Sequence, residues 1–202
     1  FRSLVRRIAA TRVYQLASAN TDRGLGIDPG NQLLWRHQVR RLDAEAIRDA
    51  LLDISGQLER TRGGLTLQHQ GLVSFRSDYI TLETASPYFR RTVYLPLLRD
   101  AIGLNENADD ASGLLETFDF ADPNLVTGQR SVTTVPTQAL FLMNSPFIQQ
   151  QSRALARRLL GGFSSATERI QHLILLAYGR PATGREVLSS MEYLLRFGEL
   201  DD

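Results

Sequence analysis

The sequence contains no cysteine and no lysine. Without cysteine, these 202 residues hold no disulfide, no thiolate metal ligand, no covalent haem attachment and no cysteine nucleophile. The usual indicator of redox compartment is lost with it. Without lysine there is no Schiff-base amine and no phosphate-loop lysine. No apolar run approaches the roughly 18–20 residues of a membrane-spanning helix. Neither sign of charge is in excess, since 23 basic side chains stand against 22 acidic ones, so nothing directs the chain to nucleic acid or to an anionic membrane surface.

What remains is apolar enough, at 43% hydrophobic residues, to build a real core. One domain of 1–202 is expected; the alternative is two lobes, 1–62 and 114–202, joined by an irregular or β region over 63–113. All 23 basic residues are arginine. GC-rich coding explains that bias, and so does a surface made for carboxylate, sulfate or phosphate, which arginine binds bidentately. The pairs Arg6-Arg7, Arg40-Arg41, Arg90-Arg91 and Arg157-Arg158 support the second explanation. The chain starts without methionine inside a helical pattern, so a fragment of a longer protein is expected.

The pattern predicts a mainly α, bundle-like fold with a small extended segment near 65–98 and a C-terminal αα-hairpin. Residues 1–18 read as a helix with Phe1, Leu4, Val5, Ile8 and Leu16 on roughly one face. Residues 19–32 read as a polar loop, and a short amphipathic stretch with the single tryptophan, Trp35, follows. Asp43 is placed to cap a helix whose Ile47, Ala50, Leu51, Ile54 and Leu58 recur at helical spacing, with Glu45, Arg48, Asp49 and Asp53 on other faces. Leu65–Leu67, Tyr79–Leu82 and Thr92–Leu95 are β-prone, and 103–113 reads as an acidic loop. Pro136 suits a first helical turn behind Thr133 or Thr134, and Asn144-Ser145-Pro146 ends that helix and starts another running to Gly161-Gly162. Ser165 with Glu168, and Thr183 with Glu186, have capping-box spacing on either side of a Gly179-Arg180-Pro181 turn.

Three groups of residues carry candidate chemistry. Asp119, Asp122 and Asn124 are oxygen donors at short spacing, as calcium favours, but Asp-Pro-Asn is also a strong turn former and one of these carboxylates is a natural partner for Arg130. Arg40, Arg41, Glu45, Arg48 and Asp49 form a polar wall; Glu45 and Asp49 on one helix face could act as acid and base, against the simpler reading of a solvated or inter-lobe salt-bridge network tied to Arg90 and Arg91. Trp35, Tyr79 and Tyr88 are candidates for a sugar cradle. His37, His69 and His172 are far apart and read as structural or surface residues.

The same residues carry a resemblance. Arg36 with Arg40–Leu52, the run Arg90-Arg91-Thr92-Val93-Tyr94-Leu95-Pro96, Phe118–Asn124, Thr133–Phe147 and Leu176–Thr183 occur in the order of the motifs of planctomycete cytochrome-c-like proteins. They are similar to the C-terminal domain of unknown function of those large exported proteins. The resemblance implies a helical region ahead of Phe1, upstream domains of the same polypeptide as partners, and an extracytoplasmic location. It places any haem in an upstream module, with no cofactor in this fragment. The function expected is a non-catalytic scaffold or interaction module; the alternatives are a polysaccharide-acting enzyme with paired carboxylates and a sulfated-glycan-binding module.

Overall fold

The structure is a computed structural model that describes residues 1–63, 73–76, 79–82, 89–94, 111–122 and 124–197. Leu65–Leu67, His69, Tyr88 and Pro123, with part of the predicted acidic loop, lie outside the described residues. The fold is mainly helical. The chain divides into two compact units, Phe1–Leu42 and Asp43–Asp202.

The first unit holds α1 (Arg2–Ala9) and α2 (Asp22–Ile27). The helix predicted over 1–18 stops at Ala9, where the Thr11 hydroxyl donates to the Ile8 carbonyl at 2.7 Å and turns the chain out of register. Helix α2 lies inside the predicted polar loop. Gly24 and Gly26 weaken its helical signature, but Thr21 caps it by accepting from the Gly24 amide at 3.1 Å. Below it the Asp28 carboxylate accepts from the Gln32 and Leu33 amides, and the Trp35 indole donates to the Asp28 carbonyl at 2.9 Å. The indole lies so close to Gly24 that a Cβ there would meet the ring at 2.5 Å. Glycine at 24 is therefore a packing requirement.

The second unit begins with α3 (Ala44–Ser55), preceded by Asp43 in extended conformation at the cap position but without a capping hydrogen bond from its side chain, and closed by Gly56 at φ +79°. A hairpin of β1 (Val73–Arg76) and β2 (Tyr79–Leu82) pairs antiparallel, with Val73 opposite Leu82. Thr92–Tyr94, predicted as extended, is a 3₁₀ turn. Then come α4 (Ala111–Thr117), α5 (Pro136–Asn144), α6 (Pro146–Gly162), α7 (Ala166–Tyr178) and α8 (Gly184–Phe197). The core centres on Ala44 and Leu52 of α3, Leu114 and Leu115 of α4, Phe118 and Phe147. Burying each large member contributes about 1.5–3 kcal/mol. Helix α4 overlaps the predicted 103–113 loop; its two core leucines follow directly on an acidic, small-residue run and so carried no periodic signal.

Two long-range contacts fasten α3 to α6. Ser55 Oγ donates to Gln151 Oε1 at 2.8 Å, with both residues buried. Arg158 reaches the end of α3 and donates to the carbonyls of Asp53 and Ile54 at 3.2 and 2.7 Å, adding to the Gly56 amide that already bonds the Asp53 oxygen.

The predicted starts of the last three helices hold. Ser145 caps α6 with Pro146 at the first position, and Ser165 and Glu168 form a reciprocal capping box on α7. Gly179 at φ +66° ends α7. Glu186 at the start of α8 accepts from the Thr183 amide and hydroxyl at 2.8 and 2.9 Å and from both terminal nitrogens of Arg180. The Arg180 guanidinium, with the Thr183 donors, lowers the Glu186 pKa from its ordinary 4.5 to about 2. Because the folded value is the lower one, the contribution to stability is complete above about pH 4.5 and is lost as the pH falls toward 2. Acid unfolding followed by circular dichroism should therefore show, for Glu186→Gln against the parent, a stability difference that narrows between pH 4.5 and 2. A difference constant across that range would refute a stabilising role for the ionised Glu186 contacts.

Candidate functional site

Helix α3 presents its charged residues to three different surroundings. Arg48 is fully buried beside Ala44, Leu52 and Ser55, so the reading of a solvated network does not hold for it. Its Nη1 donates to the Arg90 carbonyl at 2.9 Å and lies 3.4 Å from Thr92 Oγ1. The Phe147 ring lies under the guanidinium, 5.9 Å from centroid to Cζ, and the Asp49 carboxylate stands 4.0 Å away. The charge is met inside by polar groups distant in the chain.

Asp49 accepts from the Thr92 amide and hydroxyl, both at 2.7 Å. These bonds cap the 3₁₀ turn from outside and explain why a β-prone run turns there. Arg90, 1% exposed, donates through Nη2 to the carbonyls of Thr61 and Gly63 at 3.1 and 2.7 Å and stacks on Tyr94 at 4.3 Å. Arg91 beside it is exposed. Buried Arg48, Arg90 and Thr92, with half-buried Asp49, thus form one hub.

One turn earlier on α3, Glu45 faces outward. Arg130 Nη1 donates to both of its carboxylate oxygens, at 2.7 and 2.9 Å, and the guanidinium lies 4.8 Å over the Phe120 ring. The expected pairing of Arg130 with Asp119 or Asp122 is replaced by this partner, 85 residues away. Asp119 itself sits at φ +60°, just past α4, where Phe120 N reaches back to the Leu115 carbonyl at 2.9 Å. Its carboxylate accepts from the Thr133 amide at 2.8 Å and hydroxyl at 2.9 Å. Thr133 is therefore committed to Asp119, and α5 starts at Val135 as its cap residue, with Gln138 supporting the turn by bonding the Thr117 carbonyl at 3.0 Å. Asp122 accepts from the Asn124 amide at 2.8 Å.

The predicted residues are thus brought together in part. Arg48, Asp49 and Arg90 share the hub, Glu45 and Arg130 form an outer latch, Asp119 ties α4 to the entry of α5, and Asp122 with Asn124 makes a local turn. Arg40, exposed, and Arg41, half-buried, belong to the first unit. Trp35 packs on Gly24 in that unit, and His37 meets Tyr14 edge-on. Among the described residues no group of three His, Asp or Glu side chains is arranged to hold a metal ion. Sequence reasoning missed Thr92, Phe120, Thr133 as a partner of Asp119, and the Ser55–Gln151 contact; each lies beyond the reach of a helical or strand period. It also missed a groove of about 510 Å³ along α7, between Phe163 and Pro181 and walled by Glu168, Gln171 and His172. None of the predicted site residues lines it.

These arrangements define a mainly helical domain whose charged motif residues bind one another and the backbone between helices. The chain belongs to the family described as PSD1, protein of unknown function (DUF1553), which matches residues 1–194. No curated protein and no solved structure matches it. No helix among the described residues is long and apolar enough to cross a membrane.

The two arginine contacts differ in cost. Arg48→Ala removes a fully buried side chain and its hydrogen bonds, and urea denaturation should show a loss of about 3–5 kcal/mol. Arg130→Ala opens a half-exposed ion pair and should cost about 0.2–1 kcal/mol. Equal losses would place the organising charge elsewhere.

Proposed function

We propose that this domain is a non-catalytic scaffold or interaction module of a larger exported, cytochrome-associated polypeptide. The observation that carries this reading is the state of its carboxylates. Glu45, Asp49 and Asp119 have oxygens already held by Arg130, Thr92 and Thr133. An acid–base pair working on a glycosidic bond needs two carboxyl groups facing a shared space about 5–9.5 Å across. Here each carboxylate faces its own protein donor.

Guanidinium groups are among those the fold leaves outward. Arg6, Arg7, Arg40, Arg91 and Arg157 are exposed. Such groups suit carboxylate-bearing surfaces of preceding domains in the same polypeptide, through paired hydrogen bonds. The same chemistry would accept a sulfated glycan, which is the second reading. In the first reading the domain works outside the cytoplasm, and any haem belongs to a preceding module.

The test uses the complete polypeptide and the separate chain. The chain should bind the preceding domains more weakly as salt rises, and Arg6→Glu with Arg7→Glu should weaken it further, by calorimetry. Hydrolysis of any polysaccharide that disappears in Asp122→Ala, with the circular dichroism spectrum intact, would overturn the scaffold reading. Binding of a sulfated glycan but not of the preceding domains would favour the second.

A further inference from the structure

The groove along α7 differs from the contacts around α3, because its polar groups are uncommitted. Glu168, Gln171, His172 and Leu175 recur at i, i+3, i+4 and i+7 on one face of α7, while Ile170 and Ile174 are buried on another. Phe163, Pro181 and Ala182 complete the lining. A volume of about 510 Å³ falls within the range of small-molecule sites, about 300–1,000 Å³. The frame is held from outside. Arg169 Nε donates to the Phe163 carbonyl at 2.8 Å, and Arg180 Nη1 donates to the Pro181 carbonyl at 3.2 Å. The Phe163 ring rests on His172 with centroids 4.3 Å apart.

These bonds also decide the charge of the groove. Arg169 and Arg180 are its neighbours in sequence, but their guanidinium groups are engaged on those carbonyls and on Glu186. The lining therefore holds no arginine and one carboxylate, in a chain with 23 arginines. Glu168 Oε2 accepts a long bond, 3.4 Å, from the Ser165 amide, and Oε1 meets no donor among the described residues. The Gln171 amide and the His172 ring nitrogens also make no hydrogen bond there. A carboxylate at the wall of an apolar, aromatic groove attracts a cation and repels an anion. The rings of Phe163, His172 and Pro181 favour a flat apolar body. Residues outside the described set contain one arginine, Arg99, their other charges being Asp and Glu, so charge complementarity points away from them as occupants.

We propose that this groove binds a small aromatic cation, a flat ring bearing an amidinium or ammonium group. Glu168 takes the cation with Gln171 beside it, and Phe163, Leu175 and Pro181 take the ring. This inference stands apart from the scaffold reading: an empty groove would sink it and leave that reading untouched.

Benzamidine is the probe, titrated into the 202-residue chain and followed by nuclear magnetic resonance of the backbone amides. The expected result is saturable binding in the millimolar range, with shifts confined to 163–182. Benzoate, of the same shape and opposite charge, should bind at least about tenfold more weakly. Glu168→Gln keeps the capping box, which accepts glutamine, and should weaken benzamidine about three- to tenfold. Gln171→Arg, at an exposed position, should make benzoate the better ligand. Glu192→Gln, exposed on α8 and outside the groove, should change nothing. No saturable binding, the result if another part of the chain fills the groove, would overturn the proposal. So would equal binding of benzoate, shifts centred elsewhere, or an affinity indifferent to Glu168→Gln.

Discussion

The second unit depends on a positive charge at a place without solvent. Arg48 is fully buried, and a buried charge is tolerated only where hydrogen bonds and nearby countercharge replace water. Its replacements come from far along the chain: the Arg90 carbonyl, the Thr92 hydroxyl and the Phe147 ring. Each must be in position before the guanidinium can stay inside. The requirement therefore fixes the 89–94 segment against α3 and holds the start of α6 beneath it. Asp49 adds the other half, since it holds the Thr92 amide and hydroxyl and so presents that residue to Arg48.

Around this hub the remaining charged contacts act as fasteners of decreasing cost. Arg158 closes the end of α3, Asp119 joins α4 to the entry of α5, and Glu45 with Arg130 lies at the edge over Phe120. Arginine suits all of these places better than lysine would. Its planar group can stack on a ring and still donate along its edge, as Arg90 does with Tyr94 and the carbonyls of residues 61 and 63. The all-arginine composition thus has a structural use at Arg48, Arg90, Arg130 and Arg158, beyond any coding bias.

How much was legible in the sequence follows from the range of each signal. Ser145-Pro146, Ser165 with Glu168, Gly179 and Thr183 with Glu186 set helix ends within a few residues of themselves, and those ends are where the spacing put them. The helical class followed from the same periodicities. The burial of Arg48 was not legible because its compensating groups lie 42 and 44 residues away. Arg130 was assigned to its neighbours in the chain, and its partner Glu45 carries no mark of that role. Helix α4 was missed because two leucines behind an acidic run do not establish a period. The candidate list found the right charged residues, and the structure shows them divided among separate contacts.

The contacts that complete α3 also set an order of events in time. The Arg158 guanidinium that bonds its last carbonyls lies 104 and 105 residues further on, and the Gln151 side chain that meets Ser55 lies 96 residues on. At a synthesis rate of about 5–20 residues per second, several seconds pass between the appearance of α3 and that of the side chains that finish it. During that interval Leu52 and the buried arginine have no enclosure. A chain that ends before α6 lacks the side chains that complete α3.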